Sequence, residues 1–135
     1  MIKRFVFDTN SLISANLLKH SVNRKAFDHA METGILVLSD ATFAEFAQTF
    51  IKPKFDQYLS LDKRLSRIND MEDRAHFIKP HIEIKVCRDP EDDMFLALAV
   101  SAEVNAVITG DKDLLVLHPF KNIPILSAAD FLKRF

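Results

Sequence analysis

The stretch "FVFDTN", Phe5–Asn10, runs three apolar residues straight into an aspartate followed by two small polar residues. Ile2 to Phe7 reads as a short buried strand, with Asp8 at its tip. Outward from it the same kind of run recurs: "ILVL" at 35–38, "IEIKV" at 82–86, "AVIT" at 106–109 and "IPIL" at 123–126. Helical patterns fill the spaces between: 11–18, 22–32, 41–51, 54–79 in one or two pieces, and from Pro90 to about Glu103. A short helix through "LLVL" and a closing one in "SAADFLKRF", capped by Ser127, complete the chain. Gly34 is expected as the C-cap of the second helix, and Pro53 and Pro80 as breaks. Strands alternating with helices imply crossovers, and crossovers imply a parallel sheet covered on both faces.

A length of 135 residues points to one domain, 1–135. With 48% hydrophobic residues, 12 of them Phe, the chain can bury a sizeable core, and two glycines exclude a low-complexity or loop-rich class. A net charge of −1 gives no global attraction to nucleic acid or to an acidic membrane, which leaves local patches or bound cations to supply any. The single cysteine, Cys87, excludes an internal disulfide and suits a reducing compartment. No apolar run approaches the ~18 residues of a membrane span. Asp8 interrupts the only early apolar stretch, so no secretory signal is expected and the location expected is the cytoplasm.

In an open parallel sheet, the loops after the strands gather at the carboxyl edge, where ligands bind. Asp8 ends the first strand, Glu45 lies in the first turns of the helix after the second, Asp92 begins the helix after "IEIKV", and Asp111 and Asp113 follow "AVIT". Each acid has an ordinary local reading. Asp8 would cap the next helix, and Thr42–Glu45 has capping-box spacing. Asp89 would cap the helix opened by Pro90, with Asp92 and Asp93 favouring its dipole, and Asp111 and Asp113 would cap "LLVL".

Together they demand more. Two carboxylates ~4 Å apart repel by about 4 kcal/mol at an effective dielectric of about 20. Four at one edge need protons or cations. An oxygen-only ligand set suits a hard ion, Mg²⁺ or Mn²⁺, and such an ion activates water against a phosphodiester. Helical phase selects among the acids of "RDPEDDMFLALAV": Asp92 shares the face of Phe95 and Ala99, whereas Asp93 is expected at solvent or the rim. Glu45 lies off the Phe43–Phe46–Ala47–Phe50 stripe of its helix, near the edge.

The ordered set "FVFDTN", "SDATFAEF", "DPEDDMFLALA" and "VITGDKDLL" resembles the PIN-domain family of metal-dependent nucleases, and within it the toxins of prokaryotic toxin–antitoxin pairs. The resemblance implies a three-layer α/β/α sandwich with a parallel sheet of about five strands. It implies an endoribonuclease using one or two Mg²⁺ or Mn²⁺ ions, with RNA as substrate and a small antitoxin protein as partner. By position, Asp8, Glu45, Asp92 and Asp111 are the catalytic and metal-binding quartet, with Asp113 a further ligand. Thr9 and Asn10 match polar residues that orient the first Asp.

Arg88 and Lys112 sit beside site acids and are candidates to hold a substrate phosphate. Lys52, Lys54, Lys63, Arg64 and Arg67 read as a solvated basic helix face. Phe46, Phe50, Phe55 and Tyr58 read as core, or, where exposed, as a groove for a partner helix or a homodimer. The five histidines have no zinc spacing, and Cys87 reads as a small buried hydrophobe. Two competing classes remain. One is a phosphorylation-controlled receiver-like domain with Asp40 of "ILVLSD" as acceptor. The other is a non-catalytic interaction module of the same fold.

Overall fold

The computed structural model describes residues 1–135. Five strands pair in the order β3-β2-β1-β4-β5: β1 (Lys3–Phe7), β2 (Gly34–Leu38), β3 (His76–Phe77), β4 (Ala106–Ile108) and β5 (Ile125–Leu126). Every pair is parallel. Seven helices connect them: α1 (Thr9–Leu17), α2 (Val22–Thr33), α3 (Asp40–Phe50), α4 (Leu61–Arg74), α5 (Asp93–Ser101), α6 (Lys112–Leu115) and α7 (Ala128–Arg134).

The period-two alternation of the strands divides the core. Phe5, Phe7, Leu36, Leu38, Ala106 and Ile108 face one side, where residues of α1, α2, α3, α4 and α7 cover them. Val6, Val37 and Val107 face the other, against α5 and Leu114 of α6. The α/β/α sandwich follows, because strands this apolar on both faces need helices on both. Short polar side chains turn the chain out of the sheet. Asp8, Ser39, Asp111 and Ser127 each follow a strand and each accept a hydrogen bond from a backbone N–H in the next helix.

The structure corrects several expectations. "IEIKV" is not a strand; the open edge of β2 is taken by His76–Phe77, emerging from α4. Ile82 and Ile84 pack instead against the α5-side core. Apolar alternation reports burial on one side, and an unpaired extended loop satisfies it as well as a strand does. Gly34 is the C-cap of α2 as expected, its N–H donating to the Ala30 carbonyl, but it is extended rather than left-handed and opens β2 directly. A Cβ there would stand 2.4 Å from the Lys3 carbonyl oxygen, so its bareness serves the close approach of β1 and β2. The segment 54–79 splits into a 3₁₀ turn at Pro53–Phe55 and α4. The helix opened by Pro90 starts as another 3₁₀ turn, Pro90–Asp92, and α5 ends at Ser101, with Glu103 at φ 52.

Arg64 is the largest departure. It is fully buried, not solvated. Its guanidinium donates to the carbonyls of Phe50 (2.7 Å), Lys52 (3.1 Å) and Leu59 (2.9 Å) and to the Asp56 carboxylate. One side chain thereby closes the C-terminal end of α3 and the loop into α4, where the last helical carbonyls lack partners.

Candidate active site

The strand order reverses between β1 and β4, so both carboxyl ends open onto one crevice, the place where open α/β sheets bind ligands. Phe7 pairs with Ile108, which sets Asp8 and Thr109 on the next rung. The Asp8 N–H donates to the Ile108 carbonyl at 3.2 Å. The Asp8 carboxylate accepts from the Ser11 N–H at 3.0 Å and from the Thr109 hydroxyl at 2.5 Å. It is 5% exposed. Burial raises its pKa above the usual carboxylate value, and the charge of Asp111 adds to that; the bonds from Ser11 and Thr109 oppose it without reversing the direction.

Thr109 also orders the next acid, its oxygen accepting from the Asp111 N–H at 2.9 Å. Asp111 in turn accepts from the Asp113 N–H at 2.9 Å, capping α6. Asp92 arrives from the other side, at the junction of the 3₁₀ turn and α5. Its carboxyl is pushed up to about 6, first by burial, then by the charges of Asp111 and Asp89, by a hydrogen bond to Asp111, and by the charge of Asp8. Asp8, Asp92 and Asp111 therefore feel one another's charge. Glu45 joins from α3, accepting from the Thr9 hydroxyl at 2.8 Å. An open polar cleft of about 280 Å³ lies over Asp8, Asn10, Ser11, Ser14, Gly110 and Asp111, with no hydrophobic residue in its walls.

Not every expected role is met. Thr9 bonds Glu45 rather than Asp8, and Asn10 is exposed in the cleft without a bond to Asp8. The Ser11 backbone and Thr109 do the orienting. Asp113 is half-buried beside Asp111. The capping box of α3 is Ser39–Thr42, so Glu45 has no capping task. Asp93, expected at solvent or the rim, accepts from the N–H groups of Val86 (3.1 Å) and Cys87 (2.8 Å), which lowers its pKa and ties the incoming loop to α5. Burial, then the Asp93 carboxylate, pushes the Cys87 thiol up to about 12, so it is protonated at neutral pH and a poor nucleophile. Arg88 and Lys112 are exposed and in no salt bridge.

The donor set, all oxygen and with mutually repelling charges, fits a hard divalent cation in type and sign. No three of these side chains form a ready-made metal cluster in this structure. Asp8 already has protein donors on both oxygens.

A family model of the PIN domain matches residues 4–113. The chain belongs to the PIN-domain family. Over 117 residues this PIN domain is 31% identical to an uncharacterized protein of Methanocaldococcus jannaschii, covering 85% of this chain and 75% of that one. Its fold is similar to a chain in the DNA-bound VapBC of Salmonella typhimurium (TM-score 0.62, 19% identity, 95% of this chain and 99% of that chain). It is equally similar to one in VapBC2 of Rickettsia felis bound to a promoter DNA fragment (0.61, 11%, 90% and 96%). A receiver-like domain would order its strands 2-1-3-4-5, which this PIN domain does not. Asp40 lies exposed in the first turn of α3, two residues past the end of β2.

Replacing Thr109 by Val keeps the shape and removes both the donor to Asp8 and the acceptor for the Asp111 N–H. The expected result is a folded protein with metal affinity or activity reduced about 10–100-fold, the range for losing a group that orients a ligand. Titrating the melting temperature with Mn²⁺ checks it.

Proposed function

We propose that this PIN domain is a divalent-metal-dependent endoribonuclease, the toxin of a toxin–antitoxin pair, acting in the cytoplasm. The observation that carries the reading is the convergence of Asp8, Asp92 and Asp111 at the switch crevice, with the Asp92 carboxyl raised by the charges of the others. Asp8, Asp92 and Asp111 would hold one or two Mg²⁺ or Mn²⁺ ions, with Glu45 and Asp113 as further ligands. When bound, such an ion offsets phosphodiester charge and lowers the pKa of water.

The chain's own residues do the rest. Ser11 and Thr109 fix the Asp8 carboxylate, and Thr9 fixes Glu45. The open polar cleft admits a sugar–phosphate strand. Arg88 and Lys112, exposed and unpaired, are free to hold phosphate oxygens. The partner is supported by neighbours of the same fold, which were solved as VapBC assemblies on DNA.

The test is cleavage of single-stranded RNA by purified wild type, Asp92→Asn and Asp93→Asn with Mn²⁺, Mg²⁺ or EDTA. Wild type should cut only with metal. Asp92→Asn should be inactive. Asp93→Asn should retain most activity, since an Asn oxygen still accepts from Val86 and Cys87. Metal-independent cutting, or an active Asp92→Asn, overturns the proposal.

A pH series gives a second readout. Asp92 has its folded pKa raised to about 6, so in metal-free protein its contribution to stability is fully present below about pH 4. That contribution is lost as pH rises through about 6. The difference in melting temperature between wild type and Asp92→Asn should follow this course in EDTA. Mg²⁺ should reverse the loss by favouring the charged form.

A further inference from the structure

A second cavity, of about 620 Å³, opens between the start of α3, the segment after β3 and α5. Ser39, Asp40, Phe77, Lys79, Met94 and Ala97 contribute to its walls, which are largely apolar. The sheet register places it beside the acids. Phe5 pairs with Leu36, so two residues on Phe7 stands beside Leu38, and Asp8 and Ser39 occupy the next rung. Adjacent strands lie about 4.8 Å apart. Asp92 is two residues before Met94, which lines the cavity. The cavity therefore continues the crevice along the carboxyl edge.

We propose that this cavity receives a base of the RNA strand next to the scissile phosphate, with guanine preferred. The proposal rests on the ribonuclease reading and adds its specificity. Single-stranded RNA is read by splaying a base out, stacking it on an aromatic ring and bonding its Watson–Crick edge. Phe77 is 39% exposed, and its ring is held edge-on to Phe43 with centroids 5.6 Å apart. Met94 supplies an adaptable apolar wall. The Asp40 carboxylate is exposed and engaged in no hydrogen bond or salt bridge, so both oxygens are free acceptors. Guanine presents adjacent N1–H and N2–H donors that match a carboxylate; adenine, cytosine and uracil do not offer that pair. Lys79 is exposed and unpaired, in position to offset the adjoining phosphate. The volume lies in the range of small-ligand sites, about 300–1,000 Å³.

The test follows the Met94 methyl resonance of the full chain in Mg²⁺ during titration with GMP, AMP, CMP, UMP and ribose 5-phosphate. Met94 should shift saturably with GMP at the lowest concentration and stay still with ribose 5-phosphate. Asp40→Asn, an exposed substitution that leaves the fold intact, should narrow the GMP preference by about tenfold. Ala97→Leu, which fills the cavity, should abolish the response, and in RNA digests both variants should lose preference for cutting beside G. A silent Met94, or an equal response to ribose 5-phosphate, overturns the proposal. So does a Met94 that ignores nucleotides and moves only with a protein partner. A normal GMP response in a protein that cuts no RNA counts against the nuclease and leaves the base site standing.

Discussion

Asp8→Asn should fold, melt at a higher temperature than wild type in EDTA, and cleave RNA more than about 100-fold more slowly. Asn keeps the acceptor for the Ser11 N–H and is as good an N-cap as Asp. Its amide can donate to the Thr109 oxygen, so neither polar partner is orphaned. What disappears is a buried charge whose raised pKa means the fold favours its protonated form. That penalty grows as pH rises above the usual carboxylate range, so the stabilisation should be larger at pH 8 than at pH 4. The same charge is what a cation would need, so the melting shift with Mg²⁺ should shrink together with activity. An Asp8→Asn protein that cuts RNA at the wild-type rate would remove Asp8 from the proposed chemistry. One that melts lower in EDTA would show the carboxylate to be structural.

Arg64→Met should destabilise the protein by about 3–5 kcal/mol, the size expected for breaking a buried hydrogen-bond network. The substitution fills much of the volume but strands the carbonyls of Phe50 and Leu59, while that of Lys52 keeps the Phe55 N–H. The ion pair is the smaller part, because the Asp56 side chain is 62% exposed. Asp56→Asn should therefore cost less than about 1 kcal/mol. Urea denaturation of both variants measures the contrast. Equal losses would mean that the charge pair, rather than the carbonyl cap, holds α3 to the following loop.

Much of this was legible from residues one to four apart. The tip of β1 reads correctly because an apolar run and a capping acid are neighbours in the chain. Ser127 reads as a helix cap for the same reason, and it caps α7. Helical phase puts Asp92 among the site acids, and its carboxyl does approach Asp111. Yet that phase assumed a regular helix, and Asp92 stands in a 3₁₀ turn. Its neighbour Asp93 exposed the weakness: no periodicity shows that two backbone N–H groups, from Val86 and Cys87, will arrive to occupy it. Thr109 reads in the sequence as only the last letter of a strand; a Thr ending the strand beside β1 becomes a signal once that pairing is known.

The sequence alone determined the alternation of strands and helices, the covering of both sheet faces and the delivery of acids to one edge. These depend on local periodicity and capping, which are properties of adjacent residues. Only the tertiary structure decided which strands are neighbours, and therefore which groups meet. The bond from Thr109 to Asp8 spans 101 residues and exists because β4 pairs with β1. The edge strand went to His76–Phe77 rather than to the more apolar "IEIKV" because the exit of α4 brings that dipeptide to the free edge of β2. Arg64, charged and by prediction a surface residue, is buried because unpaired carbonyls at a helix end need a donor more than its charge needs water.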